Sequence, residues 1–308
     1  MKSNGKERDA LTLMLESRRS QATRDTYRKN LQYFFQDMFP GSSLNQAVEM
    51  FLKLPRFKAV EKALNYKALL MKQGLAENTV NGRLAAVKAL VNFARNIGCC
   101  EFDLTDVTGE RAKPYRDTSG LSIAQMKMIL AVPKQDTVRG SRDYAILTLL
   151  WENALRRGEL VRLNTDDFDA TNQTLFIQGK GRGSQKEIIS LSEKATQAIV
   201  NWLEIRGKTR PGEPLFIATN NRHRGHRLTG ETIRYLVVSA VKDAGISKQM
   251  SPHRIRHSSI TAALEATNGD VVKVQKLSRH SKVDTLMIYN DRREGLQAEV
   301  TDLLSKMI

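Results

Sequence analysis

Length, composition and charge limit the class of protein before any motif is considered. The chain has 308 residues, 41% of them hydrophobic, which is typical of a folded protein long enough for two domains. Its formal net charge of +16 predicts a polyanionic partner, most commonly nucleic acid. No apolar run approaches the roughly 20 residues of a membrane span, so we expect no membrane association and a cytoplasmic location.

Helical patterns fill the N-terminal third of the chain. Apolar residues at helical spacing predict helices over about residues 20–39, 57–73 and 78–98. Asn78 and Thr79 can cap the third of these helices. The pattern predicts a compact, all-helical, basic module.

Basic and polar side chains on these helices and in later loops are candidates for DNA contact. For the helical ones, a face that meets only solvent is an equally good explanation. On the third helix the candidates are Asn78, Thr79, Asn81, Arg83, Lys88 and Arg95. In the basic stretches farther along the chain they are Arg182, Arg222, Arg224, Arg227 and Arg234.

A second core begins after a polar stretch, residues 111–120, which is interpreted as a linker. Ser122 can cap a helix, and RDYAILTLLWENAL predicts a helix that is apolar enough to be buried. Two β-prone runs, TLFIQ and KEIISL, flank a Gly-rich loop and predict a hairpin. The loop contains Lys180 but lacks the GxxxxGK[ST] pattern, so a nucleotide phosphate site is rejected. The fold class is mainly α with a small β-hairpin or sheet.

Neither cysteines nor histidines form a convincing metal site. Cys99 and Cys100 are adjacent and are interpreted as reduced thiols of a cytosolic protein. His223 and His226 are three residues apart, but NRHRGHR is interpreted as a basic loop. We therefore predict no metal and no other cofactor.

Reactive side chains are concentrated in four short motifs. They are Arg156 and Glu159 in ALRRGEL, Lys180 in GKGRGSQ, His253 and Arg256 in SPHRIRH, and His280 and Tyr289 in LSRHSKVDTLMIYND. The last two residues are nine apart, about 13 Å along a straight helix, so both can act on one atom only if a turn separates them. Residues 281–284 fit that turn, and Asp284 can cap a short helix that carries Tyr289.

In order and spacing these motifs resemble those of the tyrosine recombinases, the integrase family that includes the Xer-type and phage integrases. The resemblance covers nearly the whole chain. It implies a helical, SAM-like core-binding domain over residues 1–110, the linker, a mixed catalytic domain over residues 121–294, and a tail helix over residues 295–308 for contacts between protomers. The implied catalytic residues are Arg156, Lys180, His253, Arg256, His280 and Tyr289.

The resemblance also implies roles for these residues. Tyr289 would cut DNA to a 3′-phosphotyrosyl intermediate that needs neither metal nor ATP. Lys180 would protonate the leaving 5′ oxygen, His253 would exchange a proton with the tyrosine, and His280 would contact a phosphate oxygen. Glu159 would orient Arg156, and the two arginine forks would hold the phosphate oxygens.

Two departures from the family pattern stand beside the site. Ser278 and Arg279 precede His280, where family members often have Leu-Gly, and the sequence offers no account of the added charge. The hairpin loop is also slightly longer than in Xer-type members, which makes Lys186 a rival to Lys180.

The expected activity is site-specific recombination of double-stranded DNA, in integration, excision or resolution of DNA elements. The family implies a homotetramer in the synapse, formed from protomers that are monomeric off DNA, with accessory proteins or a paralogue as further partners. In a prokaryote the enzyme would be associated with the nucleoid. The alternatives are a catalytically silent DNA-binding protein of the same fold and an enzyme that relaxes DNA like a type IB topoisomerase.

Overall fold

A computed structural model describes residues 9–111, 120–179 and 186–280, together with Val283, Leu286 and residues 301, 302 and 304–306. The chain divides into two compact units, residues 1–114 and 115–308. The boundary lies in the stretch that the sequence indicates as a linker. Among the described residues, no helix is both long and apolar enough to cross a membrane.

The first unit is all-helical in its described part. Its helices are α1 (Ala10–Glu16), α2 (Gln21–Met38), α3 (Leu44–Leu52), α4 (Arg56–Lys72) and α5 (Glu77–Asn96). The sequence pattern predicts the three long helices to within a few residues. It misses α1 and α3, because helices of 7 and 9 residues show too few turns for a clear apolar period.

An aromatic cluster forms the centre of the first unit. The ring of Phe34 packs edge-to-face against Phe35, Phe51 and Tyr66, with centroid distances of 4.9, 5.2 and 5.1 Å. Such pairs contribute roughly 0.5–1.5 kcal/mol each beyond the area they bury. The cluster joins α2, α3 and α4.

The predicted cap of α5 is wrong. The helix begins at Glu77, with Ala76 at the N-cap position and no side-chain cap, so Asn78 and Thr79 already lie inside the first turn. Leu75 and Val80 both pack into the core of this unit, at the spacing of a hydrophobic staple. Burial of this apolar pair, rather than a polar cap, therefore sets the start of the helix.

The second unit combines helices with a small sheet. Its elements are α6 (Ile123–Ala131), α7 (Val138–Glu152), α8 (Arg157–Arg162), β1 (Phe168–Asp169), β2 (Thr174–Gln178), β3 (Lys186–Ser190), α9 (Glu193–Arg206), α10 (Gly230–Asp243), α11 (Pro252–Ala266) and α12 (Val271–Ser278). The three strands are antiparallel in the order β1-β2-β3, with Leu175 opposite Ile189. The predicted hairpin and the predicted fold class are confirmed.

Helix α7 is the centre of the second unit. Six consecutive residues, 145–150, are buried, because α7 packs against both α9 and α11. On α9 the side chain of Trp202 is fully buried, and its Nε1 donates a hydrogen bond to the Leu215 carbonyl at 2.8 Å. The predicted burial of α7 is confirmed.

Two helix ends and one helix start lie next to each other in this unit. Helix α11 begins after Ser251, whose hydroxyl accepts from the Arg254 N–H, and Pro252 occupies its first position. Helix α12 ends at Ser278, and Arg279 follows it in the left-handed conformation. Arg256 on α11 and Arg279 after α12 both donate hydrogen bonds to backbone carbonyls at the end of α7, those of Ala154 and Asn153.

Candidate active site

Arg156 and Glu159 form one reciprocal unit at the start of α8. The Arg156 backbone N–H donates to Glu159 Oε2 at 2.8 Å, and Arg156 Nη1 donates to Oε1 at 2.8 Å. The side chain of Arg156 stays 29% exposed, whereas that of Glu159 is 1% exposed. The buried carboxylate thus fixes a guanidinium that solvent can still reach.

A second arginine shares the same carboxylate. Arg279 Nη2 lies 3.1 Å from Glu159 Oε2, and the side chain of Arg279 is 4% exposed. Burial by itself would raise the pKa of Glu159, but the charge of Arg279 and the hydrogen bonds from Arg156 outweigh burial and hold that pKa below its usual range. Glu159 is therefore ionised at neutral pH and stabilises two cations.

Arg256 is buried and is fixed by backbone carbonyls. Its Nη1 donates to the carbonyl of Ala154 and its Nη2 to the carbonyl of Ser278. Ala154 adopts a φ of 46°, a conformation that costs a side chain roughly 1–2 kcal/mol. Its carbonyl also accepts from Arg279 Nη2 at 3.2 Å. The strained residue thus presents one oxygen to two arginines.

His280 completes this cluster as a neutral side chain. Its Nε2 lies 3.4 Å from Arg256 Nη2, and a guanidinium only donates, so Nε2 accepts and the ring proton is assigned to Nδ1. Burial, followed by the charges of Arg256 and Arg156, lowers the pKa of His280 to about 4. Nδ1 is buried and has no hydrogen-bond partner among the described residues.

The other predicted histidine is paired with a third one. His253 lies in the first turn of α11, and its Nε2 is 2.7 Å from the Nε2 of His257, one turn later. Burial and the charges of Arg256 and Arg156 lower the pKa of His253, so its ring is neutral near pH 7. A neutral ring offers a nitrogen that can accept a proton.

Lys186, the rival to Lys180, is engaged by another side chain of the fold. It forms an ion pair with the buried carboxylate of Asp167, and this hydrogen bond raises the pKa of the lysine. Lys180, Arg182 and Tyr289 lie outside the described residues, as does the predicted cap Asp284. Of the predicted turn over residues 281–284, the structure describes Val283. The carbonyl of Val283 accepts a hydrogen bond from the Leu286 N–H at 2.7 Å.

Two of the proposed DNA contacts on α5 are engaged inside the first unit. Asn81 donates to the Glu110 carbonyl at 2.8 Å and accepts from the Glu110 N–H at 2.7 Å. The guanidinium of Arg83 lies 4.3 Å from the ring centroid of Tyr33. These contacts give both side chains a structural function.

The other candidates on α5 are more accessible. Asn78 and Thr79 are exposed in the first turn, and Lys88 is half-buried. Arg95 forms an ion pair with Asp103 at 3.3 Å and remains exposed. Among these residues, the exposed first turn offers polar groups that DNA could contact directly.

The basic candidates of the second unit fall into two groups. Arg227 is fixed by the fold, because its Nη1 donates to the Leu163 carbonyl at 2.9 Å and its Nη2 to Asn164 Oδ1 at 2.5 Å. Arg234 pairs with Glu231 at 2.7 Å on the surface of α10. Arg222 and Arg224 are exposed in the preceding turn. Other residues of that turn border an open groove of about 830 Å³, which is lined in part by Arg139, Arg142, His223, His226, Arg227 and Tyr235.

Five of the predicted site residues are brought together: Arg156, Glu159, His253, Arg256 and His280. The sequence offers no role for Arg279, and it leaves His257 as a structural neighbour, although both contact this cluster. The sequence signal that could have identified Arg279 is its departure from the family pattern. One partly exposed arginine and one buried arginine, beside two neutral histidines, can stabilise the negative charge of a phosphate and exchange a proton with a reacting group.

Comparison with known proteins gives matches over more than half of the chain or nearly all of it. The model of the phage integrase family matches residues 121–295. The tyrosine recombinase slr0733 of Synechocystis sp. is 46% identical over 305 residues, which cover 99% of this chain and 97% of that protein. The tyrosine recombinase Synpcc7942_B2651 of Synechococcus elongatus is 44% identical over 300 residues, which cover 97% of this chain and 94% of that protein.

Solved structures share the fold. The Tn1549 transposon integrase, in complex with transposon right end DNA, aligns with a TM-score of 0.66 and 19% identity, over 96% of this chain and 100% of that chain. The XerH site-specific recombinase bound to its difH substrate aligns with a TM-score of 0.64 and 17% identity, over 92% of this chain and 80% of that chain. The family match over more than half of the chain and the similarity to these relatives over nearly all of it show that the chain belongs to the phage integrase family and is a tyrosine recombinase.

Proposed function

We propose that this recombinase binds a specific site in double-stranded DNA, cuts one strand through Tyr289 and joins it to a partner strand. The phenolic oxygen of Tyr289 attacks the scissile phosphorus, and the bond from phosphorus to the 5′ oxygen breaks. A 3′-phosphotyrosyl ester forms, and attack by the 5′ hydroxyl of the partner strand restores a phosphodiester and releases Tyr289. The ester conserves the free energy of the bond, so neither ATP nor a metal is needed.

The arginine cluster is the observation that carries this proposal. Negative charge grows on the non-bridging oxygens as the tyrosine attacks, and preorganised cations stabilise that charge most where water is excluded. Arg156 is held by the buried Glu159, and Arg256 by the carbonyls of Ala154 and Ser278. The fold therefore holds both guanidinium groups in place before the phosphate arrives.

The remaining residues would move the protons. His253 is neutral near pH 7 because its pKa is lowered, so it can take the proton of Tyr289. His280 lies beside Arg256 and would contact a phosphate oxygen. Lys180 would protonate the leaving 5′ oxygen. Its rival Lys186 is bound to Asp167, and the raised pKa makes Lys186 a poorer acid.

The partner we propose is duplex DNA, contacted by both units. Two of the structural relatives are bound to DNA, one to transposon right end DNA and one to a difH substrate. Exchange between two duplexes requires four active sites, so we propose a tetramer in the synapse, with residues 295–308 contacting the neighbouring protomer. An enzyme that acts on chromosomal DNA would work in the cytoplasm, at the nucleoid of a prokaryote.

Covalent trapping tests the proposal. A duplex site is first selected from a random library by the wild-type protein and is then nicked, so that the cleaved piece diffuses away. Wild type, Tyr289→Phe and Tyr144→Phe are mixed with this duplex in EDTA and run on a denaturing gel. Tyr144 is a matched control, because it is a partly buried tyrosine of the same unit. We expect a covalent protein–DNA band from wild type and Tyr144→Phe and none from Tyr289→Phe.

Other results would contradict the proposal in distinct ways. A band from Tyr289→Phe would remove Tyr289 as the nucleophile, and loss of the wild-type band in EDTA would indicate a metal-dependent reaction. Tight binding without a band would favour a catalytically silent DNA-binding protein. Relaxation of supercoiled DNA that lacks the selected site would favour a topoisomerase.

A further inference from the structure

Arg279 is the arginine of the cluster for which neither the sequence nor the proposed chemistry supplies a role. It follows the last residue of α12 with a φ of 56°, a conformation in which a side chain costs free energy. Its guanidinium donates to the carbonyls of Asn153 at 3.1 Å and Leu277 at 2.6 Å, in addition to Glu159. A residue with this backbone conformation and so many side-chain bonds is held for a purpose beyond ending a helix.

The contacts of Arg279 reach both catalytic arginines. The backbone carbonyl of Arg279 accepts from Arg156 Nη2 at 3.2 Å. Its guanidinium shares Glu159 with Arg156, and it shares the Ala154 carbonyl with Arg256. If Arg279 moved, the guanidinium groups of Arg156 and Arg256 would therefore be affected as well, because each of them shares a hydrogen-bond acceptor with Arg279.

The sharing of Glu159 also changes the local charge. A carboxylate that pairs with one arginine cancels that arginine's charge toward a distant phosphate. Here three arginines and the Glu159 carboxylate leave two positive charges in excess in a cluster that is mostly buried. Because Coulomb fields add, the charge of Arg279 offsets part of the negative field of Glu159, and the positive field of Arg156 at the phosphate is cancelled less.

We propose that Arg279 is a positioning residue for the DNA cleavage step, which sets the guanidinium of Arg156 through Glu159 and leaves its charge available to the scissile phosphate. The proposal rests on the recombinase function proposed above. It assigns Arg279 no contact with DNA. Its removal should therefore slow cleavage without weakening binding.

The test separates binding from cleavage in single-turnover reactions on the nicked duplex. The variants are Arg279→Gly, which also relieves the backbone strain, and Arg279→Lys, which keeps the charge but cannot bond to four oxygens with one fork. For Arg279→Gly we expect formation of the covalent complex about ten to a hundred times more slowly, with a Kd for DNA within about twofold of wild type. Arg279→Lys should form the covalent complex at least about threefold more slowly than wild type. If the glycine variant does not fold, the lysine variant alone tests the proposal.

Chemical rescue distinguishes positioning from a general structural role. Arg279 lines a cavity of about 350 Å³, so free guanidinium has a route to the space that Arg279→Gly leaves. We expect millimolar guanidinium, but not methylammonium, to restore part of the cleavage rate of Arg279→Gly. A slow variant that guanidinium does not restore, or a variant that cleaves at the wild-type rate, would overturn the proposal.

Arg206→Lys is the matched control. Arg206 is also a buried arginine, bound to Glu213 and to the Leu215 carbonyl, but it has no contact with the cluster around Glu159 among the described residues. Its substitution should lower stability and leave the cleavage rate of the folded enzyme unchanged. An equal loss of rate in Arg206→Lys and Arg279→Lys would contradict a specific role for Arg279. If wild type itself forms no covalent complex, the recombinase function fails and not the role of Arg279 within it.

Discussion

At the scale of single residues, the site combines charged arginines with histidines that stay neutral. The same arginine charges that favour a phosphate make protonation of a neighbouring imidazole unfavourable. His280 shows this most strongly, since burial and the charges of Arg256 and Arg156 lower its pKa to about 4. A neutral ring can therefore lie against the arginines without repelling them.

The lowered pKa of His280 predicts a pH dependence of stability. Between pH 6.5 and 4 the unfolded chain binds a proton at this ring and the folded chain does not, so the free energy of unfolding rises with pH in this window. The contribution is complete above about pH 6.5 and is lost as the pH falls toward 4. Because solvent screens a half-buried ring, we expect a loss on the order of 1 kcal/mol.

Urea unfolding at several pH values measures this effect. The loss of stability on acidification from pH 7 to 4.5 should be larger in wild type than in His280→Gln, since other titrating groups contribute equally to both proteins. Identical pH profiles of the two proteins would show that His280 keeps an ordinary pKa in the folded state.

The reactive residues of the described site could be named from the sequence, because their order along the chain matches a known pattern. What the sequence could not supply is the bond between Glu159 and Arg279, which joins residues 120 positions apart. It also depends on a positive φ at Arg279 and at Ala154, two residue types that rarely adopt that conformation. Local patterns contain no information about such long-range contacts.

At the scale of elements, two helical glycines differ in whether their surroundings leave room for a side chain. Gly140 lies in the first turn of α7, and a Cβ built there would meet the backbone oxygen of Lys134 at 1.9 Å. Gly82 lies inside α5, and apart from its chain neighbours and the helix's own backbone no atom of the described residues comes within 4 Å of a Cβ built there. The two positions look alike in the sequence, but only Gly140 is required by a close backbone approach.

Alanine substitutions should separate these two glycines. Gly140→Ala forces the backbone of α7 away from Lys134, and we expect it to lower the free energy of unfolding by about 2 kcal/mol. Gly82→Ala removes the conformational freedom of a helical glycine in the unfolded chain, and we expect it to raise stability by roughly 0.5–1 kcal/mol. Equal effects of the two substitutions in thermal and urea unfolding would refute the packing argument.

The elements that the sequence predicts well are those in which apolar period and stop signals coincide. Helix α10 begins after the capping Thr229 and ends before Gly245, as the pattern predicts. The start of α5 was predicted wrongly, because a polar pair at the right spacing looked like a cap while Leu75 and Val80 formed the actual anchor. Burial against the rest of the unit decided that boundary, and burial is a property of the folded chain.

At the scale of the whole molecule, the net charge of +16 does not say which cations are available to DNA. The structure separates them, because Arg227 is bound to Leu163 and Asn164 whereas Arg222 and Arg224 are exposed. Composition could predict the class of partner but not this division, which depends on where each side chain finds a hydrogen-bond acceptor. The difference between bound and exposed arginines leads to opposite expectations for their removal.

Salt titration of DNA binding tests that division. Each phosphate contact that is lost should reduce the slope of log K against log salt by about 0.9. We expect Arg224→Ala to weaken binding to specific and random duplexes alike, with a slope that is lower by about that amount. Arg227→Ala should leave the slope unchanged and lower the free energy of unfolding, because the acceptors of its hydrogen bonds near Leu163 lose their partner. A reduced slope for Arg227→Ala at unchanged stability would place this arginine on the DNA instead, and would mean that its bonds to Leu163 and Asn164 exchange for phosphate contacts on binding.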